Sequence, residues 1–123
     1  MKLLLIFLFI FPQFYCRTIN FMGEITCRKP IWCYSMVFWE EDNIEDDYII
    51  QSYKTCSKKQ TTKNFSVGDD DYGDGSFNYE FYTFITHNCT TNGQEVTYRH
   101  TFPDTPALQT TNVFYKIDIT DVF

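Results

Sequence analysis

After residue 16 the chain is almost free of the residues that stabilise helices, and this restricts its fold more than any motif does. Residues 17–123 contain one leucine and one alanine, against 15 threonines and a total of 17 phenylalanines and tyrosines. Leucine and alanine are among the best helix formers, whereas β-branched and aromatic side chains pack well on a half-buried pleated sheet. The composition therefore argues against long helices and predicts an all-β fold.

Apolar and polar residues alternate along several segments, as expected of strands with one buried face. On the first segment, for example, Phe21, Ile25 and Cys27 share a face. At most a turn is expected at 104–110. Seven strands with polar connections are typical of an antiparallel β-sandwich of two sheets. They are predicted at residues 18–27, 33–39, 48–55, 62–67, 78–88, 95–102 and 113–120.

Residues 1–16 have the layout of a secretory signal peptide, because a lysine is followed by nine apolar residues and then a proline. Nine helical residues span about 14 Å, roughly half of a hydrocarbon core of about 30 Å, which is too short for a membrane anchor. We expect cleavage after Cys16 and one extracellular domain, residues 17–123, without a transmembrane anchor. Loss of Lys2 changes the formal charge from −6 to −7.

Cleavage after Cys16 leaves four of the five cysteines, and an oxidising environment favours two disulfides. Alternation places Cys27 and Cys89 in phase with apolar neighbours, so these two can meet inside the sandwich. Cys33 and Cys56 are then the second pair. Four cysteines allow three connectivities, and the sequence alone leaves them open.

Two Asn-x-Ser/Thr tripeptides are candidate N-glycosylation sites in a secreted protein. One begins at Asn64 and the other at Asn88. Asn88 directly precedes a cysteine that is expected to be in a disulfide, which restricts access to its side chain. Asn64 is therefore the better expected acceptor.

Two acidic segments raise the question of a Ca²⁺ site, because calcium prefers clustered oxygen ligands. Six carboxylates lie within residues 40–47, and a second run covers residues 69–75. The candidate ligands are Asp69, Asp71 and Asp74, but Asp74 occupies the position where an EF-hand loop needs glycine. Runs of charge are usually solvated loops, so no metal site and no cofactor is predicted.

Neither histidine has the sequence neighbours that catalysis needs. The chain contains no nucleophile of the Gly-x-Ser-x-Gly type to accompany His87 or His100. His87 is in phase with the inward-facing residues of its strand, which favours a structural histidine that donates to a backbone carbonyl. The protein is therefore not predicted to be an enzyme.

Most aromatic residues must fill the core of a small sandwich that lacks leucine. Tyr82 and Phe84 are the exception, because they lie on the face of their strand opposite to Phe81 and Ile85. If nothing covers that face, the two rings form an exposed aromatic patch and a candidate interface.

Several motifs, in the same order, resemble those of the nematode transthyretin-like family. Gly23-Glu24-Ile25-Thr26-Cys27 is similar to its Gly-x-x-x-Cys strand, and Ile85-Thr86-His87-Asn88-Cys89 is similar to its Ile-x-His-x-Cys motif. Asn64-Phe65-Ser66-Val67-Gly68 resembles a strand between them. The likeness covers roughly residues 18–102 and implies a secreted, transthyretin-like β-sandwich. The segment 54–60 departs from the family pattern, which indicates a divergent member with its own disulfide pattern.

The expected function is that of a secreted, non-enzymatic binding protein that recognises an extracellular or cell-surface protein and is itself a monomer. The last five residues, Ile119 to Phe123, lack the Tyr-Arg-Gly-Ser tail of the hydroxyisourate hydrolases, the enzymes of the transthyretin fold. Two alternatives are a carrier of a small hydrophobic ligand and a Ca²⁺-dependent binder of surfaces or lipids. The acidic charge argues against nucleic acid as a partner.

Overall fold

The computed structural model describes residues 17–72 and 77–123, with the backbone alone for residues 71 and 72. The predicted leader, residues 1–16, lies outside the described residues. All regular structure in the two described ranges is β-strand, so the predicted all-β class is confirmed. These ranges contain no helix long and apolar enough to cross a membrane.

The described residues form ten strands where seven were predicted, and the difference has three sources. The run predicted at 48–55 is divided between β3 and β4, the run at 78–88 is divided between β6 and β7, and β9 takes the place of the turn expected at 104–110. The strands are β1 Arg17–Cys27, β2 Trp32–Glu40, β3 Asp47–Gln51, β4 Thr55–Ser57, β5 Thr61–Tyr72, β6 Asn78–Tyr79, β7 Phe81–His87, β8 Val96–Thr101, β9 Thr105–Pro106 and β10 Thr110–Asp118.

Two sheets make up the layers of the fold. The three-stranded sheet has the order β10-β1-β5, and the five-stranded sheet has the order β3-β2-β7-β8 with β4 also paired to β2. A separate two-stranded ladder joins β6 to β9. The pairings are antiparallel except for β1 with β10, which is parallel from Thr18↔Thr110 to Thr26↔Asp118. The wholly antiparallel prediction was therefore wrong at this one pairing, because an alternating pattern carries no information on strand direction.

The core lies between the sheets and is largely aromatic. Alternate residues of β1 and β2 are buried, as the period-two pattern predicted. Phe21 of β1 stacks on Phe38 of β2, with ring centroids 4.1 Å apart, and meets Phe81 edge-on at 5.1 Å. Large rings fill the space that leucines occupy in other small domains, and such pairs add about 0.5–1.5 kcal/mol beyond the area they bury.

Gly23 has a specific steric role in the middle of β1. A Cβ atom at this position would overlap the backbone carbonyl group of Tyr115 on β10. Only glycine allows the two parallel strands to approach this closely. The glycine of the Gly-x-x-x-Cys segment is therefore explained by the packing of β1 against β10.

Strand β5 is longer than predicted and includes part of the second acidic run. Asp69 and Asp70 belong to this strand, and Asp69 lies opposite Ile19 of β1. The interpretation of residues 69–75 as a loop was therefore wrong for its first part. The side chain of Asp71 and the whole of Asp74 lie outside the described residues.

Candidate functional site

Both disulfides favoured by the alternation pattern are present. Cys27 is bonded to Cys89, 62 residues further along the chain, and Cys33 is bonded to Cys56. Cys27 and Cys89 are buried in the core. The strand faces assigned from the sequence thus lead to the same pairing as the structure.

Four aromatic residues lie together on the outer side of the five-stranded sheet, and we call them the aromatic face: Trp39, Tyr48, Tyr82 and Phe84. In the strand register, Trp39 of β2 lies directly opposite both Tyr48 of β3 and Tyr82 of β7, so all three point to the same side. The rings of Trp39 and Tyr48 meet edge-on with centroids 5.6 Å apart. Tyr82 and Phe84, two residues apart on β7, meet edge-on at 5.7 Å.

Arg99 of β8 lies across the aromatic face. It is opposite Phe84 in the strand register, and its guanidinium carbon is 4.0 Å from the ring centroid of Tyr82 and 5.9 Å from that of Phe84. A guanidinium group over an aromatic ring is attracted by the negative charge on the ring face. Arg99 therefore adds a positive charge beside the rings of Tyr82 and Phe84.

The sequence predicted an exposed aromatic patch at Tyr82 and Phe84, provided that nothing covers them. Tyr82 does not meet this condition, because it is covered. Tyr82 is only 5% exposed, because Arg99 lies on one side of its ring and the Tyr82 hydroxyl donates to a carboxylate oxygen of Asp46. Phe84 is half-buried and Tyr48 is 50% exposed. The accessible part of the face therefore lies around Tyr82 rather than on it.

The electrostatics of the Tyr82–Asp46 pair suit a hydrogen bond that stays formed at neutral pH. Burial, together with the Asp46 hydrogen bond, raises the pKa of Tyr82 to about 12. The same hydrogen bond from Tyr82, followed by one from the backbone of Asp42, lowers the pKa of Asp46. A phenol with so high a pKa is a donor rather than a base at neutral pH, so this arrangement serves positioning and binding better than proton transfer.

Residues 41–45 of the first acidic segment are exposed in the connection between β2 and β3, as expected of a solvated loop, and the ends of this connection are anchored. Glu40 is 2% exposed at the end of β2, and the backbone N–H of Glu41 donates to the carbonyl oxygen of Glu80 at 2.8 Å. Asp46 also accepts from the backbone N–H of Asp42 at 3.1 Å. Nowhere in residues 17–72 and 77–123 do three or more histidine, cysteine or acidic side chains come together in a way that could hold a metal ion.

His87 has the structural role that its position predicted. Its Nε2 atom is 2.8 Å from the carbonyl oxygen of Val122, and its Nδ1 atom is 3.1 Å from the backbone nitrogen of Cys89. Because the backbone N–H of Cys89 donates to Nδ1, Nε2 carries the proton and donates to Val122. Burial lowers the pKa of His87, which favours this neutral ring.

His100 lies between the sheets, away from His87. Its ring stacks on Tyr115 with centroids 4.1 Å apart and meets Phe102 edge-on at 4.9 Å. Burial lowers the pKa of His100 as well. The structure thus surrounds this histidine with aromatic rings instead of pairing it with a nucleophile.

The two candidate glycosylation sites have different surroundings. Asn64 is exposed on the outer side of β5. The side-chain oxygen of Asn88 instead accepts the backbone N–H of Cys33 at 2.7 Å. Thr90, the third residue of that tripeptide, is 4% exposed and donates to the carbonyl oxygen of Gln94 at 2.8 Å.

Sequence reasoning did not assign Arg99, Tyr48 or Asp46 to the candidate interface. Tyr48 and Arg99 lie on strands whose order in the sheet sets their neighbours, and strand order was not predicted. Asp46 belongs to the acidic segment, where its contact with Tyr82 depends on how the loop folds back. An estimate of the β7–β8 register from the length of their connection is the one signal that would have found Arg99.

Comparison with known families gives one match over most of the chain. Residues 22–122 match a family described as "Caenorhabditis elegans protein of unknown function (DUF870)". No curated protein and no solved structure matches the chain. The match includes the aromatic face, Arg99 and all four cysteines of the two disulfides.

Proposed function

The chain belongs to the DUF870 family of C. elegans proteins, whose function is unknown, and on that premise we propose that it is a secreted, non-enzymatic binding protein. It recognises an extracellular or cell-surface protein through the aromatic face and Arg99. A partner suited to this surface presents a carboxylate for Arg99 beside an apolar patch for the rings of Trp39, Tyr48 and Phe84.

The observation that carries this proposal is the aromatic face with a guanidinium group fixed across it. Tryptophan, tyrosine and arginine are the residues that contribute most often to the energetic centres of protein interfaces. The ring of Tyr82 is held in place, because its hydroxyl is hydrogen-bonded to Asp46 and Arg99 lies over it. A surface already held in one conformation loses less entropy when it binds.

Secretion is supported by the cysteines, because disulfides form and persist mainly in oxidising compartments. Two disulfides in a small domain, one of them with an exposed cysteine, fit that environment. A signal peptide at residues 1–16 remains part of the proposal, and a non-enzymatic role is supported by the buried, hydrogen-bonded state of His87.

The likeness to transthyretin-like proteins also belongs to this proposal. It is supported by the relation between two of the quoted motifs, since the cysteine of Gly23-Glu24-Ile25-Thr26-Cys27 is bonded to the cysteine of Ile85-Thr86-His87-Asn88-Cys89. The histidine of the second motif fixes the backbone beside that bond. These contacts give both motifs a structural reason.

The proposal is tested with fluorescently labelled protein applied to living C. elegans cells in culture. We expect saturable surface binding that protease treatment of the cells abolishes, and we expect Arg99→Ala and Trp39→Ala to weaken it about tenfold or more. Phe114→Ala is the matched control, because Phe114 is an exposed aromatic residue, at 65%, on the outer side of the three-stranded sheet.

Equal binding by the wild type, Arg99→Ala and Trp39→Ala would contradict the proposed surface. The absence of saturable, protease-sensitive binding would contradict protein recognition itself. The thermal stability of each variant is measured alongside, so that a folding defect is recognised.

The same preparation tests the two alternatives predicted from the sequence. A tetramer in size-exclusion chromatography would favour a carrier with a channel between subunits, whereas the proposal expects a monomer. A Ca²⁺-dependent binder would gain about 2.7 kcal/mol of stability at a hundredfold excess of Ca²⁺ over its Kd, and the proposal expects no gain.

A further inference from the structure

A cleft of about 430 Å³ opens at the edge of the sandwich where β3 and β4 of the five-stranded sheet face β5 of the three-stranded sheet. Its deepest residues are Tyr34 and Phe65, which are 3% and 7% exposed. Tyr53, which is 88% exposed, lies at its rim. The cleft therefore combines an aromatic floor with an aromatic side chain that has little contact with the rest of the molecule.

The cleft is uncharged on an acidic protein. Ten described residues line it, and none of them carries a charge, although the chain has a formal charge of −6. The polar side chains among them are hydroxyls and amides, including Ser52, Thr55 and Ser66. Such groups both donate and accept hydrogen bonds without attracting ions, so the cleft suits a neutral ligand that is rich in hydroxyl and amide groups.

A saccharide with N-acetyl groups has this chemistry. The C–H face of a sugar ring is apolar and packs on an aromatic ring, while its hydroxyls and acetamido group need uncharged donors and acceptors. Tyr53 offers an accessible ring of this kind, since an aromatic side chain has a large apolar surface with one polar end. Clefts of roughly 300–1,000 Å³ are the usual size for small ligands.

The position of the candidate glycosylation tripeptide points to the source of such a saccharide. Asn64, Phe65 and Ser66 all line the cleft, and the side chain of Asn64 is exposed. Because β5 is an edge strand and Asn64 lies on its outer side, a glycan attached to Asn64 begins next to the cleft and reaches it by passing over this edge. The other tripeptide is less suited, because Asn88 is hydrogen-bonded to the backbone of Cys33 and Thr90 is buried.

We infer that this cleft is a binding site for a neutral N-acetylglucosamine-type saccharide, and that the N-glycan of Asn64 occupies it. The glycan of Asn64 can occupy the cleft only if the protein is secreted, so this part rests on the proposed function. The sugar-binding site itself does not depend on secretion. The glycan packs against Tyr53 and covers the apolar floor formed by Tyr34 and Phe65. A glycan carried by another molecule is the second source of the same chemistry.

The test uses the full chain produced by secretion from insect cells, with di-N-acetylchitobiose as the probe. Asn64→Gln removes the acceptor and keeps an amide at the rim, and Ser66→Ala removes the tripeptide and keeps Asn64. We expect both unglycosylated variants to bind the probe in calorimetry or in ligand-observed NMR. The wild type, whose intact mass should show one glycan, is expected to bind at least tenfold more weakly because its cleft is filled.

Tyr53→Ala in the Asn64→Gln background is expected to lose at least tenfold in affinity for the probe. Phe114→Ala in the same background is the matched control, because Phe114 is an exposed aromatic residue on β10, at the other edge of the three-stranded sheet from β5. No binding of the probe by either unglycosylated variant overturns the site. Equal binding by glycosylated and unglycosylated protein overturns its occupation by the Asn64 glycan and identifies a partner's glycan as the source.

The outcome is separate from that of the proposed function. Protein recognition through Arg99 and Trp39 is measured on the outer side of the five-stranded sheet, outside the residues that line the cleft, and its failure leaves chitobiose binding unchanged. An intact mass without a glycan after secretion overturns the occupation by Asn64, and the unglycosylated variants then still decide whether the sugar site exists.

Discussion

The two disulfides of this chain differ both in what they connect and in how they are surrounded. Cys27–Cys89 lies in the core, with both cysteines no more than 1% exposed, and it joins β1 of the three-stranded sheet to the segment after β7 of the five-stranded sheet. Cys33–Cys56 joins directly opposed residues of β2 and β4 within one sheet, and Cys56 is exposed. The first bond fixes one layer to the other, whereas the second fixes one edge of a single layer.

From this difference we expect the two disulfides to contribute unequally to the free energy of unfolding. The Cys89 end of the core disulfide is held by two hydrogen bonds, since the N–H of Cys89 donates to Nδ1 of His87 and its carbonyl oxygen accepts from the N–H of Asp121. It also closes the longer loop, 62 residues against 23. Closing a longer loop costs the unfolded chain more entropy. Both effects therefore predict that the core disulfide contributes more to the free energy of unfolding than the edge disulfide.

The largest expected effect is that of replacing both core cysteines. Cys27→Ala with Cys89→Ala should cost about 4 kcal/mol from chain entropy alone, with a further loss because two buried sulfur atoms leave a gap in the core. The measurement is urea unfolding followed by circular dichroism. A loss no larger than that of the edge pair would contradict the ranking of the two bonds.

Replacing the edge pair should have a smaller effect. Cys33→Ala with Cys56→Ala should cost at most about 3.4 kcal/mol and leave a folded protein. In the wild type, mild reduction followed by alkylation and mass spectrometry should modify Cys33 and Cys56 before the core pair, because thiols need access to the sulfur that they attack. Simultaneous modification of all four cysteines would show that the core offers no protection.

Mild acid should lower the free energy of unfolding, because a histidine with a lowered pKa lies beside the core disulfide and not beside the edge disulfide. Burial holds the pKa of His87 below its ordinary value, so between the folded and unfolded pKa values the unfolded chain binds more protons. This contribution to stability is then fully present above the ordinary pKa of about 6.5 and is lost as the pH falls through the lower pKa of the folded state. The urea midpoint should therefore decrease over this range.

A substitution of His87 distinguishes this contribution from that of His100, whose pKa burial also lowers. His87→Gln should be less stable at pH 7.5 and should show a weaker pH dependence than the wild type. His100→Phe is the control, and it should keep the part of the dependence that comes from His87. An unchanged pH dependence in His87→Gln would exclude His87 as its source.

The smallest expected effect concerns Asn88, which follows the strand of His87 and is hydrogen-bonded to Cys33 of the other disulfide. Asn88→Ala removes the acceptor of the Cys33 N–H and should cost about 1 kcal/mol. Asn43→Ala, at an exposed position in the connection between β2 and β3, should cost less. If both cost the same in urea unfolding, the hydrogen bond between the two disulfide regions does not contribute to stability.

The strand faces were predictable because burial on one side imposes a period of two on the side chains. Phe21, Ile25 and Cys27 share the buried face of β1 as expected. The strand predicted at 62–67 is shorter than the observed β5, because aspartate and glycine, which follow residue 67, disfavour strands in isolation. Its pairing with β1 from Thr61 to Tyr72 overrides that local preference.

The candidate site was less predictable, because it depends on strand order and on the path of a loop. Tyr82 and Phe84 were found from their phase on β7 alone. Arg99 and Tyr48 reach them only because β8 and β3 lie at particular places in the five-stranded sheet. The parallel direction of β10 could not be predicted from the sequence for the same reason. A local pattern shows which face of a strand is buried, but not which strand it pairs with or in which direction.

The pairing of β1 with β10 also has a consequence for synthesis. Asn20 and Asn112, 92 residues apart, donate and accept a side-chain hydrogen bond across this pairing. At about 5–20 residues per second, a ribosome needs roughly 5–18 s to progress from one residue to the other. During that time β1 can pair with β5 on one side, while its other edge stays unpaired because β10 has not yet been synthesised. The three-stranded sheet is thus completed last, and an unpaired edge of this kind is open to wrong partners.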